Sequence, residues 1–214
     1  MKDILAKTAV QVDAANLGVT VTLSNGNYVT ELPWITNTAG YKFHNWYGFG
    51  AVNVSAAVAM ARTYISGSLG TFANTGWILG TLPATATVPD NSITGVSVPF
   101  AVPKVGASGI VEAVQIQVTT SAAQAAASTS GCVAATDGCT GDIGIELTSP
   151  SGTKSILKNI RDGFNSFFLA GMMLESNAFY GENSTGTWTI KVVDGWTGGG
   201  IQTLTNVQIR VYGH

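Results

Sequence analysis

Two histidines, two cysteines and a scatter of carboxylates are the residues of this 214-residue chain best suited to chemistry. A hydrolytic triad needs a nucleophile within reach of a histidine base that a carboxylate orients. His44 sits in the aromatic turn His44-Asn45-Trp46-Tyr47-Gly48-Phe49-Gly50, where a hydrogen-bonded structural role is expected, and His214 is terminal and expected to be solvated. Gly95-Val96-Ser97-Val98-Pro99 lacks the second glycine of a nucleophile elbow and falls inside a strand pattern. No triad can be assembled, and no catalytic residue is assigned.

Cys132 and Cys139 have a spacing that matches no zinc or redox motif, and no histidine stands nearby to complete a metal site. Two free thiols and a local disulfide both fit the residues. The disulfide is favoured, closing a loop rich in Gly, Asp and Thr, and it would require an oxidising compartment. Asp137 and Asp142 stand at that loop, and Asp162, Glu182 and Asp194 lie near turn signals. Calcium needs several oxygens converging on one point. No EF-hand spacing is present, so calcium is kept open as a cofactor with no ligands assigned. Trp77 and Trp196 are candidate stacking platforms for a carbohydrate.

Composition narrows the partners. The formal net charge is −2 with no Lys/Arg cluster, so attraction to nucleic-acid phosphates is not expected. No segment approaches the roughly 18 apolar residues that span a bilayer, which sets a membrane partner aside. Met1-Lys2-Asp3-Ile4-Leu5-Ala6-Lys7 does not read as a signal peptide; if the protein is secreted, its signal is expected upstream. Hydrophobic residues make up 45% and charged residues only 10%, so hydroxyls and amides must supply much of the polar surface, as in an extracellular all-β protein.

The elements that position these groups follow from periodicity. Asp3 to Val12 reads as a short helix; Val19, Val21 and Leu23 lead into an Asn25-Gly26 hairpin turn; Asn53 or Ser55 caps a second helix running to about Ile65. One side of that helix carries Val54, Val58, Ala61 and Ile65 and needs a partner surface. Ser66-Gly67-Ser68-Leu69-Gly70 is linker chemistry. Beyond it only strands are expected: Val96/Val98/Phe100/Val102, Val114/Ile116/Val118, Ile143/Ile145/Leu147, Trp188/Ile190/Val192 and Val207/Ile209/Val211 each alternate with polar or small residues. Trp188 is expected to fill the core. The low-complexity run Thr119 to Gly131 is expected to be a long loop. The fold class is mostly β, a jelly-roll-like β-sandwich preceded by an α/β fragment.

Pro89-Asp90-Asn91, Gly95-Val96, Asp142-Ile143-Gly144-Ile145-Glu146-Leu147-Thr148-Ser149-Pro150-Ser151-Gly152-Thr153, Phe179-Tyr180-Gly181-Glu182, Gly186-Thr187-Trp188-Thr189-Ile190 and Leu204 through Tyr212-Gly213 agree in order and spacing with the P domain of kexin- and furin-like proprotein convertases, which this half of the chain resembles. A His-Thr/Ser…Gly-Asp phrase of many P domains is replaced here by Thr119-Thr120-Ser121 and the cysteine loop; only Gly141-Asp142 remains. Ile4-Leu5-Ala6-Lys7-Thr8-Ala9, Val12-Asp13, Asn37-Thr38-Ala39-Gly40 and Tyr47-Gly48-Phe49-Gly50 with Val52-Asn53 are similar to the last part of a subtilisin-fold catalytic domain. The family's Asp, His and Ser motifs are absent from this chain.

The resemblance implies a C-terminal catalytic-domain segment at 1–66, a linker at 67–87 and a P domain at 88–214. It implies the non-catalytic part of a secreted, extracellular subtilisin-like serine endopeptidase. The partners would be the catalytic domain of the same protease and, through the parent, its protein substrates. A carbohydrate-binding module and a structural extracellular jelly roll are the alternatives.

Overall fold

The computed structural model describes residues 1–122, 140–160, 162, 164, 166, 168–197 and 201–214. Helix α1 is Lys2–Thr8. It is shorter than the periodicity suggests, because Ala9 is extended and Val10 bridges to Ala51. Strands β1 (Val19–Leu23) and β2 (Gly26–Glu31) form the expected hairpin. Leu23 pairs with Gly26, so the loop is Ser24-Asn25 and Gly26 already belongs to β2, one residue off the Asn25-Gly26 reading. Two short strands, β3 (Ile35–Thr36) and β4 (Lys42–Phe43), precede helix α2 (Val54–Thr63). Asn53 caps α2 by accepting the Ala56 N–H at 3.0 Å.

Nine strands among the described residues of the second half make two antiparallel sheets. They are β5 (Ala73–Asn74), β6 (Ile78–Leu79), β7 (Ser92–Val102), β8 (Val111–Ala122), β9 (Ile143–Thr148), β10 (Lys154–Lys158), β11 (Met172–Ser176) and β12 (Gly186–Asp194), with β13 (Gln202–Gly213) closing the set. One sheet runs β10-β9-β12-β7; the other runs β11-β8-β13-β5, with β6 also on β13. Steps β7 to β8, β8 to β9, β10 to β11, β11 to β12 and β12 to β13 each change sheet, as in a jelly roll. Residues 73–79, expected within the linker, thus join a sheet, each pair of residues hydrogen-bonding β13. Thr119 to Ala122, expected in the loop, continue β8; the rest of the run to Gly131 lies outside the described residues.

All five alternating sets point inward, and Val98, Ile116, Ile145, Leu147, Ile190, Val207 and Ile209 are fully buried in one core. Trp188 is among them. Its ring packs edge-on against Phe179 with centroids 4.9 Å apart, and its Nε1–H donates to the Ser184 carbonyl at 2.8 Å.

The outer face of the β9/β12 sheet is covered too. Leu23 and Tyr28 of the first hairpin form a second apolar cluster with Ile160 and Val193. Gly144 makes room for it: a Cβ there would stand 2.8 Å from Ile160 Cγ2 and 3.0 Å from the Tyr28 hydroxyl.

Candidate functional site

A polar network lines the seam along which residues 1–65 meet the sandwich. The loop after β11 supplies its centre, Phe179-Tyr180-Gly181-Glu182. Phe179 is anchored beneath Trp188, which fixes the next three residues at the surface of the core. Tyr180 meets the Tyr41 ring edge-on at 4.9 Å, and its hydroxyl lies 3.3 Å from Asp3 Oδ1. Gly181 has φ +84°, and a Cβ would stand 2.7 Å from the Tyr41 ring and 2.9 Å from Ala39 Cβ, so glycine is required both by conformation and by close approach. Glu182 Oε1 accepts the Thr38 N–H at 3.0 Å and the Thr153 hydroxyl.

From the other side, Asn37 uses its whole amide. Nδ2 donates to the carbonyls of Ala178 (2.9 Å) and Tyr180 (2.8 Å), while Oδ1 accepts from Ala39 N (3.1 Å) and Tyr41 N (2.9 Å). Lys2 Nζ reaches Glu112 O at 2.6 Å and Asn177 Oδ1 at 2.8 Å. Burial lowers the Lys2 pKa, with Glu112 and Glu175 opposing. Burial alone would raise the Asp3 carboxyl, but hydrogen bonds from Lys7, Tyr64 and Tyr41 hold it below its ordinary value. At the hairpin end, Asn25 accepts from Ile93 N at 2.8 Å and donates to Ser92 Oγ at 2.9 Å.

The residues singled out for chemistry are placed as follows. His44 is buried; its Nδ1 accepts the Trp46 N–H at 3.1 Å, and its ring lies against Trp34 and Tyr47. Burial lowers its pKa, with Asp13 opposing. His214 is not solvated: it is 6% exposed, with Nδ1 3.3 Å from Glu112 Oε1 and its carbonyl accepting from Ile110 N. The Ser108 hydroxyl donates to that main-chain oxygen, not to the ring. Ser97 lies mid-strand opposite Lys191, with no sharp turn to present it.

Cys132, Cys139 and Asp137 lie outside the described residues. Asp162 pairs with Lys158 Nζ at 2.8 Å, Asp194 ends β12, and Glu182 belongs to the seam. Among the described residues no group of three or more His, Cys, Asp or Glu side chains is arranged to hold a metal ion. Trp77 is no open platform, since the Arg210 guanidinium stacks 4.4 Å from its ring centroid. Trp196 is 37% exposed.

The described residues form a jelly-roll sandwich that clasps an α/β segment through one polar loop. The family model of the proprotein convertase P-domain matches residues 132–211 of this chain. The chain is 29% identical to the extracellular serine protease of Aeromonas sobria, over 98% of this chain and 34% of that protein. It is also 29% identical to the microbial serine proteinase of Aeromonas salmonicida, over 91% of this chain and 31% of that protein. The crystal structure of the A. sobria serine protease superposes with a TM-score of 0.81 at 25% identity, covering 99% of this chain and 39% of that one. The same protease in complex with its chaperone gives 0.80 at 26% identity, with the same coverage. The chain spans about a third of the length of these curated relatives.

The seam was the functional feature that sequence reasoning missed. Its motif residues stood out by resemblance, but their partners at Asn37, Thr38 and Tyr41 are some 140 positions away.

Proposed function

We propose that the chain is the non-catalytic C-terminal part of a secreted subtilisin-like serine endopeptidase, in which the P domain stabilises the catalytic domain and influences substrate access. The observation that carries this reading is the two-sidedness of residues 1–66. One side is fastened to the sandwich through Lys2, Asn37 and Tyr41. The other leaves α2 side chains bare, Val54 68% and Val58 48% exposed, with Ile65 just beyond the helix 75% exposed. An apolar helix face of this kind is expected to be covered, and the remainder of a subtilisin-like catalytic domain is the partner we assign to it. In this reading the P domain runs from 88 to 214 after a stretch at 67–87, whose strands β5 and β6 pair with β13.

Secretion is supported by the extracellular relative. It agrees with a Cys132–Cys139 disulfide, to which chain-entropy arithmetic assigns at most roughly 2.5 kcal/mol. The native polypeptide from culture supernatant tests both points. A fluorophosphonate should label one serine of a longer polypeptide that contains this chain, and leave the isolated 214-residue chain unlabelled. Intact mass after non-reducing alkylation should show no alkyl group on either cysteine. Labelling of the isolated chain would refute the non-catalytic assignment, and two alkylated thiols would refute the disulfide.

A further inference from the structure

Asn25-Gly26 is the chain's one Asn-Gly pair, and it stands at the tip of the first hairpin, where Leu23 pairs with Gly26. Packing requires both residues. Gly26 has φ +150°, and a Cβ there would stand 2.7 Å from Ile93 Cδ1, so a larger residue would push the hairpin away from β7. Asn25 fastens the tip to β7 with its whole amide. Oδ1 accepts Ile93 N at 2.8 Å, and Nδ2 donates to Ser92 Oγ at 2.9 Å and Thr94 Oγ1 at 3.1 Å. Ser24 adds its N–H and its hydroxyl, both donated to the Asn91 carbonyl.

The same pair is reactive. With no side chain on Gly26 to obstruct it, the Gly26 main-chain nitrogen can attack Asn25 Cγ. An N–Cγ bond forms, Nδ2 leaves as ammonia carrying the Gly26 amide proton, and a five-membered succinimide remains. Water then opens the ring, its hydroxyl adding to one carbonyl carbon and its hydrogen to the ring nitrogen. Opening at Cγ gives aspartate. Opening at the main-chain carbonyl gives isoaspartate, whose main chain runs through Cγ and is one methylene longer.

Docking opposes the first step, because Cγ must turn onto the Gly26 nitrogen and Nδ2 must depart, which breaks the bonds to Ser92 and Thr94. We propose that Asn25 is a deamidation site gated by docking of the first hairpin on β7. Docked, the amide is held and preserved; undocked, it cyclises, and isoaspartate then bars the hairpin from returning. The bar is geometric: the extra methylene lengthens a turn closed by the Leu23–Gly26 pair, and the carboxylate now sits directly on Cα. Aspartate, by contrast, keeps the chain length, and the Ser92 and Thr94 hydroxyls can turn to donate to it. Since only opened molecules react, the observed rate is the open-state rate multiplied by the fraction open.

The 214-residue chain, its Tyr28→Ala variant and a blocked peptide of residues 19–31 are incubated together at neutral pH. An isolated hairpin is at best marginally stable, so the peptide reports the open state. Tyr28 is buried with Leu23, Ile160 and Val193, and its loss loosens the hairpin without touching Asn25 or Gly26. Peptide mapping by mass spectrometry follows Asn25, and an isoaspartate methyltransferase counts isoaspartate. The wild-type chain should deamidate at least about tenfold more slowly than the peptide, and Tyr28→Ala should be at least about threefold faster than the wild type. The isoaspartate chain, separated by chromatography, should exchange the amides of β1 and β2 faster than Asn25→Asp does. A wild-type rate equal to the peptide's, a Tyr28→Ala rate equal to the wild type's, or equal exchange in the isoaspartate chain and Asn25→Asp would each overturn the proposal. The wild-type and peptide rates decide it even if Tyr28→Ala fails to fold.

Discussion

Replacing Asp194 by asparagine should flatten the pH dependence of stability between about pH 4 and pH 8. Asp194 ends β12, where it pairs with Ile143 of β9 and Ser92 of β7 and is almost wholly buried. Oδ1 accepts the Trp196 N–H at 3.0 Å. Burial, reinforced by the charges of Asp142 and Asp90, pushes its pKa from an ordinary 3.8 up to about 7, against backbone hydrogen bonds from Trp196 and Asn91. A carboxyl whose pKa is higher in the folded than in the unfolded chain contributes stability that is fully present below the unfolded value. That contribution is lost as pH rises through the folded one. The interval from 3.8 to about 7, at about 1.36 kcal/mol per pH unit, caps the effect at about 4 kcal/mol.

Asparagine keeps the acceptor for Trp196 and carries no charge, so the variant should gain on the wild type as pH rises. Urea unfolding of both proteins from pH 4 to 8 measures the difference. We expect the variant to be near or below the wild type at pH 4 and about 2–3 kcal/mol more stable at pH 8. Titrations common to both chains, such as the depressed Asp3 carboxyl, cancel in the difference and act at lower pH. A difference constant to within about 0.5 kcal/mol over that range would mean that Asp194 ionises normally, and would refute the account of its burial.

Two further outcomes follow from the packing. Trp188→Ala removes a fully buried ring together with its bond to Ser184. It should cost about 3–5 kcal/mol in urea unfolding, and a loss under ~1 kcal/mol would mean that the ring does not support the core. Asn37→Ala strands the carbonyls of Ala178 and Tyr180 and the N–H groups of Ala39 and Tyr41. It should cost about 2–3 kcal/mol and speed amide exchange in residues 1–65 more than in β8 or β13; uniform exchange across both halves would show that the seam does not hold them together.

The strands legible in the sequence were those with one dry face and one wetter face. β7, β12 and β13 alternate almost without fault, and their burial does too. β10 hid because its last residue, Lys158, is buried: its ammonium reaches Ile143 O at 3.0 Å and Asp162 at 2.8 Å. Local periodicity cannot announce a buried lysine. β11 begins Met172-Met173-Leu174 with no alternation, and it is an edge strand supported on one side by β8. β5 and β6 have two residues each and exist as strands through pairing with β13. The His214 reading failed for a related reason. Chain position suggested solvent, while Ser108, Ile110 and Glu112 enclose it.

The composition shift near residue 67 separates two kinds of secondary structure, yet packing crosses it. Leu23 and Tyr28 are buried against Ile160 and Val193, and such side chains are worth roughly 1.5–3 kcal/mol each when covered. Without the sandwich, the hairpin would return that area to water and Asn37 would lose both carbonyl partners. Without the hairpin, the outer face of β9 and β12 would expose Val193 and the seat at Gly144. Each half therefore completes a surface of the other, and the Phe179-Tyr180-Gly181-Glu182 loop joins them because its four residues divide the work. Phe179 fixes the loop in the core, Tyr180 and Glu182 bond across the seam, and Gly181 lets the Ala39–Tyr41 turn come close. A substitution of Gly181 should thus loosen residues 1–65 while leaving Phe179 and Trp188 packed, since the added Cβ strikes Tyr41 and Ala39 rather than the core.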